Sequence, residues 1–224
     1  MPGVLHRGAL ILGLSALAGG PAAAGAARAD FGAEVASPNA VRIADWVVAS
    51  GDNHGLSFVI VDKVQARTFV FYPDGRLRGA AAALVGLARG DGSLPGIGQR
   101  KLSDISPAER TTPAGRFVSS LGADLGAKDV VWVDYDAAIS LHRVITSNPK
   151  EQRLRRLATA TPLDNRITWG CINVPAAFFD TVVEPAFTGA SGVVYILPEV
   201  RSLREVFPAY TDKHATRLSA NGGP

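Results

Sequence analysis

The chain contains one cysteine, Cys171, and its neighbours favour a reactive thiol. Gly170 before it lets the backbone turn sharply and leaves the adjacent N–H groups open. Asn173 and Pro175 after it predict the start of a helix, whose partial positive charge would favour the thiolate. The thiolate is the nucleophilic form of cysteine, so the pattern is typical of covalent catalysis. The alternative is an inert, buried cysteine that packs as a small hydrophobic side chain.

A cysteine nucleophile needs a base that takes its proton and later protonates the leaving amine. His142 is the candidate, because it lies in an apolar segment, 139–145, that has the pattern of a strand. Of the other three histidines, His6 lies in an export signal, His54 in a glycine-containing loop and His214 in a polar tail. The alternative for His142 is a core histidine whose hydrogen bonds are satisfied.

Residues 1–29 have the pattern of an export signal. Arg7 lies near the start, an apolar stretch follows over 9–18, and 27–29 offer small residues at the positions that a signal peptidase reads. The apolar stretch is too short and too rich in glycine to cross a bilayer as a helix. We therefore expect an exported, periplasmic protein with no stable membrane span. Cysteines in an oxidising compartment usually form disulfides. An exported protein with one unpaired cysteine therefore favours the interpretation of Cys171 as a reactive thiol.

Net charge and composition limit the classes of partner and cofactor that we expect for this protein. The formal net charge of +3 falls to +1 when the signal, which holds Arg7 and Arg28 and no acidic residue, is removed. So small a charge predicts neither nucleic acid nor an anionic membrane as a partner. One cysteine and three histidines in the mature chain predict no metal site, and the segment 90–92 lacks the spacing of a phosphate-binding loop. We expect no cofactor, no metal and a monomer.

The length suits one domain with a substantial core, since about 195 residues remain after the signal. We expect a helical lead-in over 30–54, a catalytic domain over 55–200 and a polar tail over 201–224.

The hydrophobic pattern predicts a mostly β protein with a few short helices. The predicted strands cover 57–62, 67–72, 83–88, a segment that starts near Gly115, 130–134, 139–145 and 193–197. The predicted helices run from Ser37-Pro38 to near Gly51, over 150–157 and over 175–187. Within 139–145, the alternation places Ile139 and Leu141 on one face and His142 on the other.

Three ordered segments carry a resemblance to a known family. His142, then Thr168, Trp169, Gly170, Cys171, Ile172 and Asn173, resemble the pattern of the L,D-transpeptidase catalytic domain (YkuD-type): a strand histidine, an interval, Ser/Thr-His-Gly-Cys, a hydrophobic residue, and Asn or Arg. Upstream, 112–117 resemble the Thr-Pro-x-Gly-x-Phe stretch of this family, and 72–75 resemble the end of its first hairpin. The likeness spans roughly 55–199.

The resemblance implies a β-sandwich of the YkuD-like type with a few short helices. It implies that Cys171 is the nucleophile and His142 the base, with the backbone carbonyl of Arg143 orienting the imidazole. It also implies that N–H groups around Gly170 and Cys171 bind the oxyanion.

The family acts on peptidoglycan, so the resemblance implies that the Cys171 thiolate attacks a stem tetrapeptide and expels D-alanine. The thioester then passes to an amine of a second stem peptide, or to water. Candidate substrate-binding residues are Thr168, Trp169, Arg166 and Asn173, with Arg143 as a further candidate for a substrate carboxylate. The alternatives are a hydrolase on the same fold (an L,D-carboxypeptidase or endopeptidase) and a non-catalytic peptidoglycan-binding module.

The chain departs from the family pattern in two places. Trp169 stands where the family has its second histidine, and the interval between His142 and Thr168 is long, at 25 residues. We expect the inserted segment, 148–163, to form a lid over Cys171. At least one of Arg153, Arg155, Arg156 and Arg166 should then face the pocket. The alternative is a basic surface excursion unrelated to the site.

Overall fold

The computed structural model describes residues 3, 27–124 and 129–211. The predicted export signal, apart from Gly3 and residues 27–29, and the part of the predicted tail after residue 211 lie outside the described residues. The strands are β1 (Phe58–Asp62), β2 (Arg67–Phe71), β3 (Leu77–Ala82), β4 (Val85–Gly86), β5 (Gly115–Ala123), β6 (Asp129–Asp134), β7 (Ile139–Arg143), β8 (Arg166–Thr168), β9 (Ile172–Val174) and β10 (Gly192–Ile196).

The helices are short apart from the first. They are α1 (Pro38–Ser50), α2 (Arg153–Ala158), α3 (Ala176–Phe178), α4 (Glu184–Phe187) and α5 (Leu203–Val206), with a π-helical stretch (Phe179–Val183) joining α3 to α4. Single 3₁₀ turns cover Ile97–Gln99, Leu102–Asp104, Pro107–Glu109 and Pro149–Glu151. The prediction of a mostly β protein with a few short helices is confirmed. No helix in the described part of the chain is both long and apolar enough to cross a membrane.

Eight strands form one mixed sheet in the order β3-β2-β1-β10-β5-β6-β7-β9, and β4 pairs with β8 in a small parallel sheet. The large sheet curls until its two edges meet. The chain that leaves β3 reaches Leu84, which exchanges two backbone hydrogen bonds of 2.8 and 2.9 Å with Asn173 in β9, the opposite edge strand. This bridge links the chain beyond one edge strand to the other edge and satisfies the backbone groups of Asn173 there.

The curled sheet encloses one hydrophobic core. Alternate side chains of the strands point into it, as the period of two requires, and they come from both ends of the sheet. Among them are Val59, Val70, Val131, Leu141, Ile172 and Val194. The helical segment from α3 to α4 adds Phe179, Val183 and Phe187 to the same core.

A second core lies on the outer face of one half of the sheet, under α1. Ile43 and Trp46 of α1 pack with Phe58, Ile60 and Tyr195. Among the described residues, no member of this core comes from β5, β6, β7 or β9. The outer face of those four strands is therefore the part of the sheet that α1 leaves uncovered.

Two elements near the cysteine differ from the prediction. Asn173 does not cap a helix: it lies buried in β9, and the following helix begins at Ala176 after Pro175. Cys171 therefore precedes a strand, and the predicted helix-dipole effect on its thiol is wrong. The predicted strand over 83–88 shrinks to β4, while β3, β8 and β9 were not predicted.

Candidate active site

The parallel pairing of β7 with β9 brings the two reactive side chains to one face. Leu141 pairs with Ile172, and His142 pairs with Asn173. Leu141 and Ile172 point into the core, so His142, Cys171 and Asn173 lie on the uncovered outer face. Ser140, two residues before His142 in β7, places its hydroxyl 3.6 Å from the Cys171 sulfur.

The Cys171 sulfur is half-buried and has two polar neighbours. Besides Ser140, the thiol donates to the carbonyl of Ala138 at 3.6 Å. Both contacts come from the turn and strand that also carry His142. The β6–β7 turn and β7 thus position both the sulfur and the base.

The loop that carries Cys171 is fixed by the side chain of Thr168. Its hydroxyl donates to the Cys171 carbonyl at 2.6 Å and accepts from the Gly170 N–H at 3.2 Å. Gly170 has a φ of +135°, and a Cβ at this position would lie 2.6 Å from Ile139 Cδ1 and 2.8 Å from the Thr111 carbonyl oxygen. Only glycine fits here without strain. Because the Gly170 N–H is bonded to Thr168, it is not a free oxyanion donor.

Thr112 holds the same loop from the other side. Its hydroxyl donates to the Gly170 carbonyl at 2.7 Å and accepts from the Gly86 N–H at 2.8 Å. Thr112 is the first residue of the Thr-Pro-Ala-Gly stretch that the sequence singled out, and its side chain is buried. The stretch therefore fixes the conformation of the loop before Cys171.

The imidazole of His142 is held through both ring nitrogens. Nδ1 donates to the carbonyl of Arg143 at 2.8 Å. A carbonyl only accepts, so Nδ1 carries the proton of the neutral ring, and the lone pair is on Nε2. Asn173 Nδ2 lies 3.0 Å from Nε2.

The pKa values of the pair shift in opposite directions. Burial acts to raise the pKa of the Cys171 thiol, but the interaction with His142, with help from Ser140, outweighs it and lowers the pKa. Burial acts to lower the pKa of His142, and the interaction with Cys171 outweighs it and raises the pKa. Both directions favour transfer of the thiol proton to the imidazole.

A cavity of about 90 Å³ opens at Cys171. Trp169 and Cys171 line it on one side, and the turn that contains Ala137 and Ala138 lines a second side. The remaining lining residues are Ser93, Ile97, Gly98, Arg100, Leu102, Ile105, Thr111 and Ile139. Most of these belong to a segment with two 3₁₀ turns, residues 93–105, which we call the cover segment. The sequence analysis did not predict that this segment lines the site.

Trp169 connects the cysteine loop to the cover segment. The guanidinium of Arg110 lies over the indole, with its carbon 3.4 Å from the ring centroid, a cation–π geometry. The same guanidinium donates to the Ile105 carbonyl at 3.1 Å. Trp169 thus packs against Arg110, which holds the end of the cover segment at Ile105.

The inserted segment 148–163 does not cover Cys171, because it contributes no residue to the lining of this cavity. Arg155 donates to Gln152, and Arg156 donates to the carbonyls of Glu151 and Asp164. Both cations are therefore bonded to residues of the segment or to Asp164, which directly follows it. Arg153 instead bonds to Glu151 and reaches Asn173 with its Nη1 at 2.6 Å from Oδ1.

The guanidinium groups of Arg166 and Arg143 are held by internal partners. Arg166 pairs with the buried Glu199. Arg143 pairs with Asp180 at 2.5 Å and Glu184 at 2.6 Å. Neither arginine is free to bind a substrate carboxylate, so that expectation is corrected for both.

No family profile matches the chain, and no curated protein matches it. Among solved structures, it is similar to the helical cell shape determining protein Pgp2 of Campylobacter jejuni (16% identity, TM-score 0.40), covering 65% of this chain and 49% of that one. It is also similar to an L,D-transpeptidase of Xylanimonas cellulosilytica (14% identity, TM-score 0.38), covering 64% of this chain and 61% of that one. A third structure is the catalytic domain of the E. faecium L,D-transpeptidase (15% identity, TM-score 0.35), covering 64% of this chain and 98% of that one.

The chain thus spans about half the length of the Campylobacter protein. The three identities are all at or below 16%, and the three TM-scores are at or below 0.40.

Proposed function

We propose that the protein is an exported cysteine acyltransferase that acts on peptidoglycan stem peptides by L,D-transpeptidation. The observation that carries the proposal is the placement of the Cys171 thiol on the same sheet face as His142, whose Nδ1–H is held 2.8 Å from the Arg143 carbonyl. This arrangement leaves Nε2 as the basic nitrogen. Together with the ordered sequence motifs, it supports covalent catalysis at Cys171.

The first half of the reaction cleaves an amide. The thiol proton passes to His142 Nε2, and the thiolate attacks the carbonyl carbon between the diamino acid and the terminal D-alanine. When the C–N bond breaks, Nε2–H returns the proton to the leaving amine, and D-alanine departs. The acyl group stays on sulfur as a thioester. Because the Gly170 N–H already donates to the Thr168 hydroxyl, we assign the N–H of Cys171 as the hydrogen-bond donor to the oxyanion.

The second half consumes the thioester. An amine of another stem peptide attacks the carbonyl, the C–S bond breaks, and the two stems become cross-linked while the thiol is regenerated. Attack by water instead gives a hydrolase. Both outcomes begin with the same release of D-alanine.

The cover segment contributes half of the residues that line the cavity at Cys171, so it lies beside the path by which a stem peptide would reach the sulfur. We propose that the segment opens as a lid and that Trp169 then contacts the substrate. Thr168 and Asn173 have their side chains engaged within the protein, so we assign them to holding the site rather than to binding substrate.

The test is incubation of the purified mature chain with a stem tetrapeptide, followed by mass spectrometry. We expect release of D-alanine together with a cross-linked dimer, and loss of both in Cys171→Ala. D-alanine without dimer would identify a hydrolase. Binding of the peptide by both proteins with no D-alanine from either would identify a non-catalytic module and contradict the proposal.

A further inference from the structure

Both ends of the Asn173 side-chain amide are engaged. Oδ1 accepts from Arg153 Nη1 at 2.6 Å, and Nδ2 lies 3.0 Å from His142 Nε2. A guanidinium can only donate, so the amide oxygen faces Arg153 and the NH₂ faces the imidazole. Asn173 therefore donates a hydrogen bond to the lone pair of Nε2.

That hydrogen bond opposes protonation of the base. His142 Nδ1–H is held by the Arg143 carbonyl, so Nε2 is the nitrogen that must take the thiol proton. Once Nε2 carries a proton, its N–H and the Asn173 NH₂ are two donors that face each other. If the amide turned over, its NH₂ would face the guanidinium of Arg153, which is again a pair of donors. While Arg153 stays in place, either orientation of the amide leaves two donors facing each other, which disfavours the imidazolium.

We propose that Arg153 is a positioning residue: by fixing the amide of Asn173, it restrains His142 from taking the proton of Cys171. Loss of the Arg153 contact lets the amide turn and present Oδ1 to Nε2–H, which stabilises the thiolate–imidazolium pair. Arg153 comes from the insertion between His142 and Thr168 and belongs to none of the sequence motifs. The inference rests on the proposed function only for the roles of Cys171 and His142.

The contacts that carry this restraint are shielded from water. The side chain of Arg153 is 11% exposed and is held by Glu151 at 2.5 Å. Asn173 is fully buried. Because water does not compete for the amide at this site, its orientation is set by Arg153 and His142 alone.

Other charged groups also face His142 and must be considered. Burial has the largest effect and acts to lower the pKa of the imidazole; among the charged groups Cys171 acts most strongly and raises this pKa, and Asp124 after β5 acts in the same direction. Asp129 of β6 and the neighbouring Arg143 line a groove of about 340 Å³ together with His142. The restraint from Arg153 therefore works against Cys171 and Asp124, both of which favour the imidazolium.

The test is the pH profile of Cys171 alkylation by iodoacetamide, read by intact-protein mass spectrometry. In Arg153→Met we expect the profile to move to lower pH by about one unit, so that alkylation at pH 6 is about tenfold faster than in the wild type. Arg155→Met is the matched control, because Arg155 lies on the same helix and donates to Gln152 instead of to Asn173. Its profile should coincide with that of the wild type.

A double substitution separates the amide from a direct charge effect. Arg153→Met should no longer shift the profile when Asn173 is replaced by Leu, because the amide that transmits the effect is gone. An equal shift in both backgrounds would overturn the proposal, as would a folded Arg153→Met protein with the wild-type profile.

A measurement on the wild-type protein covers the case in which the variants do not fold. The side-chain NH₂ resonances of Asn173 should titrate together with His142, and resonances that stay constant would overturn the proposal. None of these assays uses a peptidoglycan substrate. A shifted profile combined with an uncleaved tetrapeptide would therefore reject the proposed function and leave the role of Arg153 standing.

Discussion

Thr112 and Gly170 are joined by a buried hydrogen bond of 2.7 Å from hydroxyl to carbonyl, across 58 positions of the chain. The same hydroxyl accepts from Gly86 at 2.8 Å. Thr112 thereby connects the small β4–β8 sheet to the loop that carries the nucleophile. The geometry of Cys171 depends on a residue that touches neither the sulfur nor the imidazole.

Thr112→Val removes this hydroxyl and keeps the shape of the side chain. Two buried backbone groups then lose their partner, and each costs about 1–3 kcal/mol. We expect the free energy of unfolding in urea to fall by about 2–6 kcal/mol, with a lower kcat for D-alanine release. Thr181→Val is the control, since the Thr181 side chain is exposed and its hydroxyl donates to the Ala177 carbonyl of the same helical segment. Equal stability of the two variants would contradict the assignment.

Gly170→Ala should lower both stability and activity, although it adds only one methyl group. The added Cβ would lie 2.6 Å from Ile139 Cδ1 and 2.8 Å from the Thr111 carbonyl oxygen, so the loop must shift. Gly189→Ala is the matched control, because Gly189 also has a positive φ, +76°, but has nothing within 4 Å of a new Cβ. We expect the control to lose about 1–2 kcal/mol of stability and keep its activity. Gly170→Ala should lose more stability and most of its D-alanine release.

The elements set by local signals were predictable from the sequence. Helix α1 has Ser37 as its N-cap, accepting from the Ala40 N–H at 3.2 Å, and it ends at Gly51 in a left-handed conformation. The first hairpin, β1 and β2, follows the predicted runs to within one residue. In these places one short stretch of chain contains all the information, so pattern and structure agree.

The elements set by pairing between distant residues were not predictable. β8 and β9 have three residues each and exist because they pair with β4 and β7. Nothing local shows that Asn173 will lie between Arg153 and His142, or that Arg166 will pair with Glu199 rather than with a substrate. Next to the cover segment, the sequence contains one local signal for a helical turn. Ser106 and Glu109 form a capping box around the 3₁₀ turn.

His142→Gln tests the base of the proposed mechanism. Glutamine cannot take the thiol proton, and a positioned general base contributes about 10²-fold or more to the rate. We expect the rate of D-alanine release to fall by at least about 10²-fold. The alkylation profile of Cys171 should also move to higher pH, because the interaction with His142 lowers the pKa of the thiol.

His54→Gln is the control for that experiment, since His54 is exposed in the loop before β1. Its rate and alkylation profile should match those of the wild type. If His142→Gln also matched, His142 would not be the base.

A buried ion cluster should control stability at acid pH. Lys63 Nζ is fully buried, 2.8 Å from Asp91 and 3.7 Å from Glu199. It also donates to the Thr112 carbonyl at 2.8 Å, which ties the cluster to the residue that holds the cysteine loop. Burial acts to raise the pKa of Asp91, but hydrogen bonds from Lys63 and from three backbone N–H groups outweigh it and lower the pKa to about 2.

The sign of the pH effect follows from this shift. A carboxyl whose pKa is lower in the folded than in the unfolded protein stabilises the fold above its ordinary value near 4, and this stabilisation is lost as the pH falls through about 2. We expect Asp91 to contribute about 2 kcal/mol to stability at pH 7. The measurement is the fall in the free energy of unfolding between pH 5 and pH 2, which should be smaller in Asp91→Asn by about this amount.

Lys63→Met leaves buried carboxylates without their cation and should cost about 3–5 kcal/mol at pH 7. Arg76→Met removes an exposed ion pair with Asp74 and should cost less than about 1 kcal/mol. A Lys63→Met protein as stable as Arg76→Met would show that the cluster does not hold this part of the fold.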